Sequence, residues 1–299
     1  MPFITQRFFI QEEQKAFLWL MRTLHCTQKE AQKILDKGWL TQEGQAIHKS
    51  QSICGEISLT HFSPSPLKLP IVLQTPYFVI YDKPAFLLTH PKGTFSHPSL
   101  CDALKSEFGL QANPVHRLDK ETSGLLLCSI NKTYESQLKA LFETSQIQKT
   151  YLALVRGNLK EEQIIDSPIL TPPKGAKHSN LQIRSTLSPQ GKNAQTHILP
   201  LKSLKDSTLV QATPLTGRTH QIRLHLCSIG HPILGDPLYG CEDKFAQAYL
   251  ESDLGEEQRE SYFGAKRLML HAYSLKFSFL GENYEVSSPF LIDNISVIP

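Results

Sequence analysis

The sequence predicts an α+β fold with a mixed or antiparallel sheet, plus a small N-terminal α/β module, and three observations carry that prediction. Short runs with strand character predominate and do not alternate regularly with long helices, which argues against a doubly wound parallel sheet. Three prolines in Ser63-Pro64-Ser65-Pro66-Leu67-Lys68-Leu69-Pro70 can neither continue a helix nor sit in a central strand, so this stretch separates two folding units. At 299 residues and 40% hydrophobic, the chain can bury one large core and one small one.

The first module spans residues 1–62. A helix is predicted near residues 12–23, and a second begins at Thr27-Gln28-Lys29-Glu30, which reads as a capping box. Ala31, Ile34 and Leu35 supply its apolar stripe, and Gly38 ends it. Trp39-Leu40-Thr41 and Gln45-Ala46-Ile47 flank Glu43-Gly44 as the arms of a hairpin, and residues 54–59 offer a third strand. A capped helix with basic residues, a glycine, a short strand and a turn glycine resemble an S4-type RNA-binding domain. The resemblance implies Arg22, Lys29, Lys33 and Lys37 as RNA-facing residues, with Gln28 standing where that family commonly carries arginine.

Residues 63–70 then form a stiff linker, and the larger domain occupies 71–299. It opens with a strand at Tyr77-Phe78-Val79-Ile80-Tyr81, the turn Asp82-Lys83-Pro84 and an extended stretch from Leu87. Ser99 can cap a helix over residues 100–108, and Asn131 another whose apolar positions are Tyr134, Leu138, Leu141 and Phe142. Residues 149–155 alternate cleanly, so Tyr151 shares a strand face with Ala153 and Val155. Further strands are predicted at 191–197 and 209–214, and apolar structure resumes at 268–275 after a turn-laden loop at 230–239.

Net charge is only +3 but unevenly placed. Residues 242–260 hold seven acids against Lys244 and Arg259, a net −5 that leaves +8 on the remainder. The acidic stretch reads as a solvated helix face, and the basic remainder is compatible with RNA. The six cysteines are scattered, with no C-x-x-C pair, so neither a zinc site nor a disulfide framework is suggested. No run of about 18 apolar residues occurs. The start lacks the pattern of a signal peptide, so the expectation is a soluble cytoplasmic protein and, by default, a monomer.

G-x-x-x-x-G-K-[ST], G-x-G-x-x-G and G-x-S-x-G are all absent, which removes support for nucleotide hydrolysis, dinucleotide redox chemistry and the usual hydrolase elbow. His220 and His225 are five apart with no carboxylate between them, a poor metal pattern. What stands out is His116-Arg117-Leu118-Asp119-Lys120-Glu121-Thr122-Ser123-Gly124, a polar loop that places one acid among basic neighbours ahead of Leu125-Leu126-Leu127. Locally, Asp119 reads either as a turn residue with Arg117 as its surface partner or as a displayed functional acid. An aspartate kept ionised by a buried guanidinium is a competent nucleophile or base. Two-carboxylate glycoside hydrolysis is weaker, because Glu121 points elsewhere if the segment is extended.

Taken in order, Asp82-Lys83-Pro84, His116-Arg117-Leu118-Asp119 with Thr122-Ser123-Gly124-Leu125, Lys149-Thr150-Tyr151-Leu152-Ala153, Gly217-Arg218-Thr219-His220-Gln221-Ile222-Arg223-Leu224-His225, Gly230-His231-Pro232-Ile233-Leu234-Gly235-Asp236 and Leu270-His271-Ala272 resemble the successive motifs of the RluA-type RNA pseudouridine synthases. The resemblance covers essentially residues 73–290. It implies the pseudouridine synthase fold, with a central mixed, largely antiparallel sheet, and isomerisation of uridine in a structured RNA without cofactor or metal. By carry-over, Asp119 is the nucleophile towards the ribosyl C1′ and Arg223 its pairing partner. Tyr151 stacks on the target base, and Arg117 fills the space that the uridine vacates. Arg218 and His220 admit both a structural and a phosphate-contact reading. The S4-like module points to large-subunit ribosomal RNA, with transfer RNA, or a non-catalytic ribosome-assembly role, as the alternatives.

Overall fold

The structure is a computed structural model that describes residues 3–64, 66–91, 98–173 and 181–289. Ser65 of the expected linker, and the outer ends of both expected modules, lie outside these residues. Two compact units emerge, one of Met1–Leu67 with His90–Ser106 and one of Lys68–Thr89 with Glu107–Pro299.

The first unit contains β1 (Phe3–Lys15), α1 (Ala16–Thr23), α2 (Gln28–Asp36), β2 (Leu40–Gln42), β3 (Gln45–Ala46) and β4 (Ser52–Phe62), in an antiparallel sheet of order β1-β4-β2-β3. Residues 12–15, expected to be helical, instead extend β1 as far as the pairing of Lys15 with Ser52. The helix starts only at Ala16, where Ala16, Trp19 and Leu20 begin to recur on one buried face. β1 itself escaped sequence reading because almost nothing in it is buried, so it lacks the alternation that marks a strand. The Thr27 capping box is present: the Glu30 amide donates to Thr27 Oγ1 and the Thr27 amide to Glu30 Oε2. Glu43 and Gly44 both take positive φ, the two-residue turn that matches strand twist and joins β2 to β3. Trp19, Leu20, Ala31, Leu35, Leu40, Ile57 and Leu59 form the core of this unit.

The second unit is organised by a ten-stranded sheet. Along the chain come β5 (Ile71–Gln74), β6 (Phe78–Lys83), then α3 (Leu100–Phe108), most of which belongs to the first unit, and β7 (Asn113–Pro114), β8 (Ser123–Ser129), α4 (Lys132–Glu143), β9 (Gln148–Arg156), β10 (Gln163–Asp166), β11 (Ile169–Leu170) and β12 (Thr186–Leu187). They are followed by β13 (Gln195–Ser203), β14 (Ser207–Pro214), α5 (Gln221–Ser228), α6 (Asp243–Glu251), α7 (Glu256–Phe263), β15 (Leu270–Phe279) and β16 (Glu282–Ser287). The sheet order is β10-β13-β14-β9-β15-β8-β6-β5, with β16 on β15 and β7 on β8. The β15–β8 pairing is parallel and every other pairing in this sheet is antiparallel, so the sheet is mixed and largely antiparallel as expected.

The strand expected at 191–197 starts only at Gln195. Before it, Lys192 bridges Ile169, and Gly191 lies so close to that strand that a Cβ would sit 2.4 Å from the Ile169 carbonyl carbon. Asn131 caps α4 through the Tyr134 amide, and Leu138 is the fully buried member of its apolar set. One core cluster gathers Leu152, Val155, Val210, Leu226 and Leu268, and another Phe78, Ile80, Leu125, Leu127 and Phe277. Among the described residues no helix is long and apolar enough to cross a membrane.

Candidate active site

The loop that carries Asp119 ends at the first residue of β8, and its backbone is fastened on several sides. Thr89 Oγ1 donates to the Leu118 carbonyl at 2.9 Å and accepts from the Leu118 amide at 3.2 Å. Lys83, wholly buried at the end of β6, donates to the carbonyls of Pro84 and Leu87 at 2.9 Å and of Lys120 at 3.4 Å. Burial pulls the Lys83 ammonium down to about 7 against the attraction of Asp119 and Glu121. Gly124 follows with φ +107, and a Cβ there would fall 2.3 Å from the Ala272 carbonyl oxygen, so only glycine permits the parallel pairing with β15. Ala272 in turn pairs with Tyr151 on β9, which sets Tyr151 and the end of the Asp119 loop at one level of the sheet.

Arg223, on α5, lies against the acid: Nη1 donates to Asp119 Oδ2 at 3.3 Å. Its other two nitrogens, Nε and Nη2, form a bidentate pair with Asp236 at 2.7 Å each. Asp236 Oδ1 also accepts the amides of Leu238 and Tyr239, and the guanidinium lies 5.2 Å from the Tyr239 ring centre. The side chains of Arg223 and Asp236 are 3% and 1% exposed, whereas that of Asp119 is 23% exposed. A fixed cation is therefore anchored at the back by one carboxylate and offers its remaining edge to another that faces the cavity.

His220 takes left-handed φ of 59° just before α5, which brings Nε2 to 3.7 Å from Asp119 Oδ2 and Nδ1 to 2.9 Å from the Tyr239 hydroxyl. Burial, then the Arg223 charge, push this ring down to about 4, so it is neutral near pH 7. A neutral ring beside a carboxylate is best satisfied with its proton on Nε2 and Tyr239 donating to Nδ1. Burial alone would raise the Asp119 pKa, but the neighbouring His220, Arg223 and Arg117 and the Arg223 hydrogen bond hold it below the usual carboxylate value. With His220 neutral, the cations that keep Asp119 ionised at neutral pH are Arg223 and Arg117. Arg117 itself is exposed and, among the described residues, makes no hydrogen bond to Asp119. Burial, then the Asp119 charge, push the Tyr151 hydroxyl well above its ordinary value, so it stays protonated.

Asp119, Arg117, Tyr151, Arg218, His220 and Arg223 all line one cavity of about 470 Å³. Arg218 Nε donates to the Asn193 carbonyl at 3.0 Å and the side chain remains half-buried. Arg22, Lys29, Lys33 and Lys37 are exposed on the first unit; Lys37 lies 4.0 Å from the Trp39 ring centre, and Arg22 donates to Gln14 and the Leu18 carbonyl.

Sequence reasoning missed several participants. Asp236 sat in a recognised motif, yet nothing local tied it to Arg223. Lys149 lines the cavity without a counter-ion among the described residues, its charge disfavoured by burial and its Nζ 5.9 Å from the Phe142 ring centre. His116 stacks on the same ring at 4.4 Å and its Nε2 accepts the Leu127 amide, which fixes it neutral. The acidic stretch also departs from a plain solvated face. Its seven acids are exposed, but Arg259 turns inward onto Glu121, joined there by Tyr249.

Residues 77–228 match the family described as RNA pseudouridylate synthase. An uncharacterized RNA pseudouridine synthase of Helicobacter pylori (strain ATCC 700392 / 26695) is 46% identical, over 97% of this chain and 95% of that one. A protein of Nitrosomonas europaea named ribosomal large subunit pseudouridine synthase D is 39% identical, over 58% of this chain and 50% of its own length. Among solved structures, Human RNA Pseudouridylate Synthase Domain Containing 1 superposes with a TM-score of 0.57 at 27% identity, covering 75% of this chain and 84% of that one.

Proposed function

The chain belongs to the RNA pseudouridylate synthase family and is an RNA-modifying isomerase, and on that premise we propose that it converts specific uridines of large-subunit ribosomal RNA to pseudouridine with Asp119 as nucleophile. The observation that carries the assignment is the Asp119–Arg223 contact at 3.3 Å on the wall of a cavity shared with Tyr151. An ionised carboxylate held by a buried guanidinium is oriented and ready to attack the ribosyl C1′. The N1–C1′ bond breaks with its electron pair left on the uracil. The base turns, and C5 bonds to C1′ and displaces the Asp119 carboxylate, which leaves with the electron pair of the C1′–O bond. The C5 proton then leaves and N1 takes one up, so the sum of atoms is unchanged and Asp119 is regenerated. Neither a redox step nor an electrophilic metal is needed for that balance.

Tyr151 offers its ring as a platform for the extruded base, and its protonated hydroxyl cannot compete with Asp119 as an anion. Arg117, exposed beside the cavity, is placed to fill the gap that the uridine leaves, which offsets part of an unstacking cost of a few kcal/mol. His220 fits the structural reading, since both ring nitrogens face protein groups, while Arg218 keeps a free edge suited to phosphate. The first unit is read as the S4-like RNA-binding module, its capped helix presenting Lys29, Lys33 and Lys37 ahead of Gly38 and the Gly44 turn. The ribosomal substrate is supported by that module and by the name of the Nitrosomonas relative. The chain is taken to act as a cytoplasmic monomer.

Release of tritium from RNA labelled at uridine C5 tests the reading. Wild-type protein should release it and Asp119→Ala should not, while RNA binding stays within a few-fold. Mapping carbodiimide-modified uridines in cells with and without the protein identifies the target. Wild-type protein inert on all cellular RNA would leave only a non-catalytic RNA-binding role, and free uracil among the products would mean glycoside cleavage instead.

A further inference from the structure

The acidic segment has a feature that its surface charge does not explain: a buried ion pair aimed at the catalytic loop. Glu121, two residues after Asp119, points away from the cavity and its side chain is 4% exposed. Arg259 from α7, 6% exposed, donates from Nη2 to Glu121 Oε2 at 2.5 Å and from Nε to the Lys266 carbonyl at 2.7 Å. Tyr249 from α6 donates its hydroxyl to Glu121 Oε1 at 2.9 Å. The guanidinium is boxed by three rings, with centres 5.0 Å (Phe86), 5.5 Å (Tyr249) and 5.8 Å (Phe263) away.

Such an arrangement is costly to build if it only covers surface. A buried pair contributes little net stability compared with apolar residues of the same volume, because both charges must leave water. What it supplies is direction: both carboxylate oxygens of Glu121 are held from two different helices. The next peptide back is fixed by Lys83 through the Lys120 carbonyl, and the turn is closed by the Thr122 amide donating to the Asp119 carbonyl at 3.2 Å. Asp119 is thus the cavity-facing apex of a loop whose following residues are tied down from behind.

We propose that α6 and α7 form a clamp in which Arg259 and Tyr249 are positioning residues, holding Glu121 so that the Asp119 carboxylate stays aimed at C1′. The proposal rests on the catalytic role assigned to Asp119. Neither residue touches substrate; both act through Glu121. A misplacement of the reacting group by about an ångström costs on the order of a hundredfold in rate, so slackening this loop should appear in the chemical step rather than in RNA binding.

The test is a set of single-turnover measurements on full-length protein, with RNA affinity and amide hydrogen exchange across residues 118–123 measured alongside. The double variant E121M/R259M removes both buried charges together, so no unpaired ion remains to unfold the protein. It should melt close to wild type and bind RNA within about twofold, yet react about ten- to a hundredfold more slowly, with faster exchange in the loop. Tyr249→Phe, which deletes one hydroxyl, should slow the chemical step several-fold alone and add nothing in the double variant. It also stands as the test should the double variant not fold. A chemical rate within twofold of wild type, or a loss confined to RNA affinity, overturns the clamp. Loop loosening in the variants of a protein whose wild type makes no pseudouridine would instead sink the catalytic reading and leave the clamp standing.

Discussion

Arg223 gives Asp236 two hydrogen bonds of 2.7 Å and Asp119 one of 3.3 Å, so the guanidinium belongs first to the buried acid and only secondarily to the one that faces the cavity. That ranking is what keeps Asp119 available. A carboxylate engaged bidentately would be a poor nucleophile, whereas one edge-on contact supplies charge and leaves the second oxygen free.

Asp236→Asn should accordingly do more harm than its distance from the cavity suggests. It leaves a buried arginine short of a full counter-charge, which costs about 3 kcal/mol of stability, and it lets Arg223 turn towards Asp119. The chemical rate should fall at least tenfold while RNA affinity holds. Urea titration and single-turnover kinetics check the two parts, and an unchanged rate would exclude Asp236 as the support of Arg223.

Lys149 should behave in the opposite manner. Its ammonium is half-buried in the cavity wall with no counter-ion among the described residues, so Lys149→Met should leave the melting temperature unchanged or raise it. If Lys149 contacts an RNA phosphate, affinity should weaken and the slope of log affinity against log salt should flatten by about one. An unaltered salt slope would mean that no phosphate sits there.

For Tyr151 the ring and the hydroxyl should separate cleanly. The hydroxyl is held protonated and has no hydrogen bond among the described residues, so Tyr151→Phe should retain most RNA affinity, while Tyr151→Ala loses a stacking platform worth about 1–3 kcal/mol. Equal affinities for the two variants would remove the stacking role.

Acid should destabilise the protein through its buried histidines. Burial, then the charge of a neighbouring basic residue, hold His220 and His271 neutral down to about 4 and His116 to about 3. Between those values and the ordinary 6.5 the unfolded chain binds more protons than the folded one, so stability is full above 6.5 and is lost as pH falls towards 4. Each such histidine contributes about 1.4 kcal/mol per pH unit across its window. Asp119, with a depressed value, acts in the same direction only below about 4. His271 bridges Ser123 and Ser288, and His271→Gln should make the stability-versus-pH slope shallower by about one proton. Parallel slopes for the two proteins would count against that assignment.

Motif-bearing segments were the legible part of this sequence, because their signals are local. The capping box at Thr27, the Glu43-Gly44 turn and the alternation around Tyr151 are local patterns, each fixed by a few neighbouring residues. β1 was not legible, because an edge strand with little buried surface need not alternate. Nor was the bond between Arg259 and Glu121, 138 residues apart. A lone arginine in a run of acids looks like a solvated partner, and only the packing of three aromatic rings around it reveals a buried one. Asp236 fell between these cases: its motif was visible, its partner was not.

The order of strands across the larger sheet also governs when this protein can first work during its own synthesis. β15 lies between β8, which follows Asp119, and β9, which carries Tyr151, and the register through Ala272 aligns the two. Until that late segment has emerged and inserted between strands made more than a hundred residues earlier, Asp119 and Tyr151 have no common scaffold. The nascent chain can fold its first unit, and engage RNA if that unit binds it, while still unable to modify anything. Asp119 and Tyr151 thus come to one level of the sheet in a single step, when β15 inserts between β8 and β9.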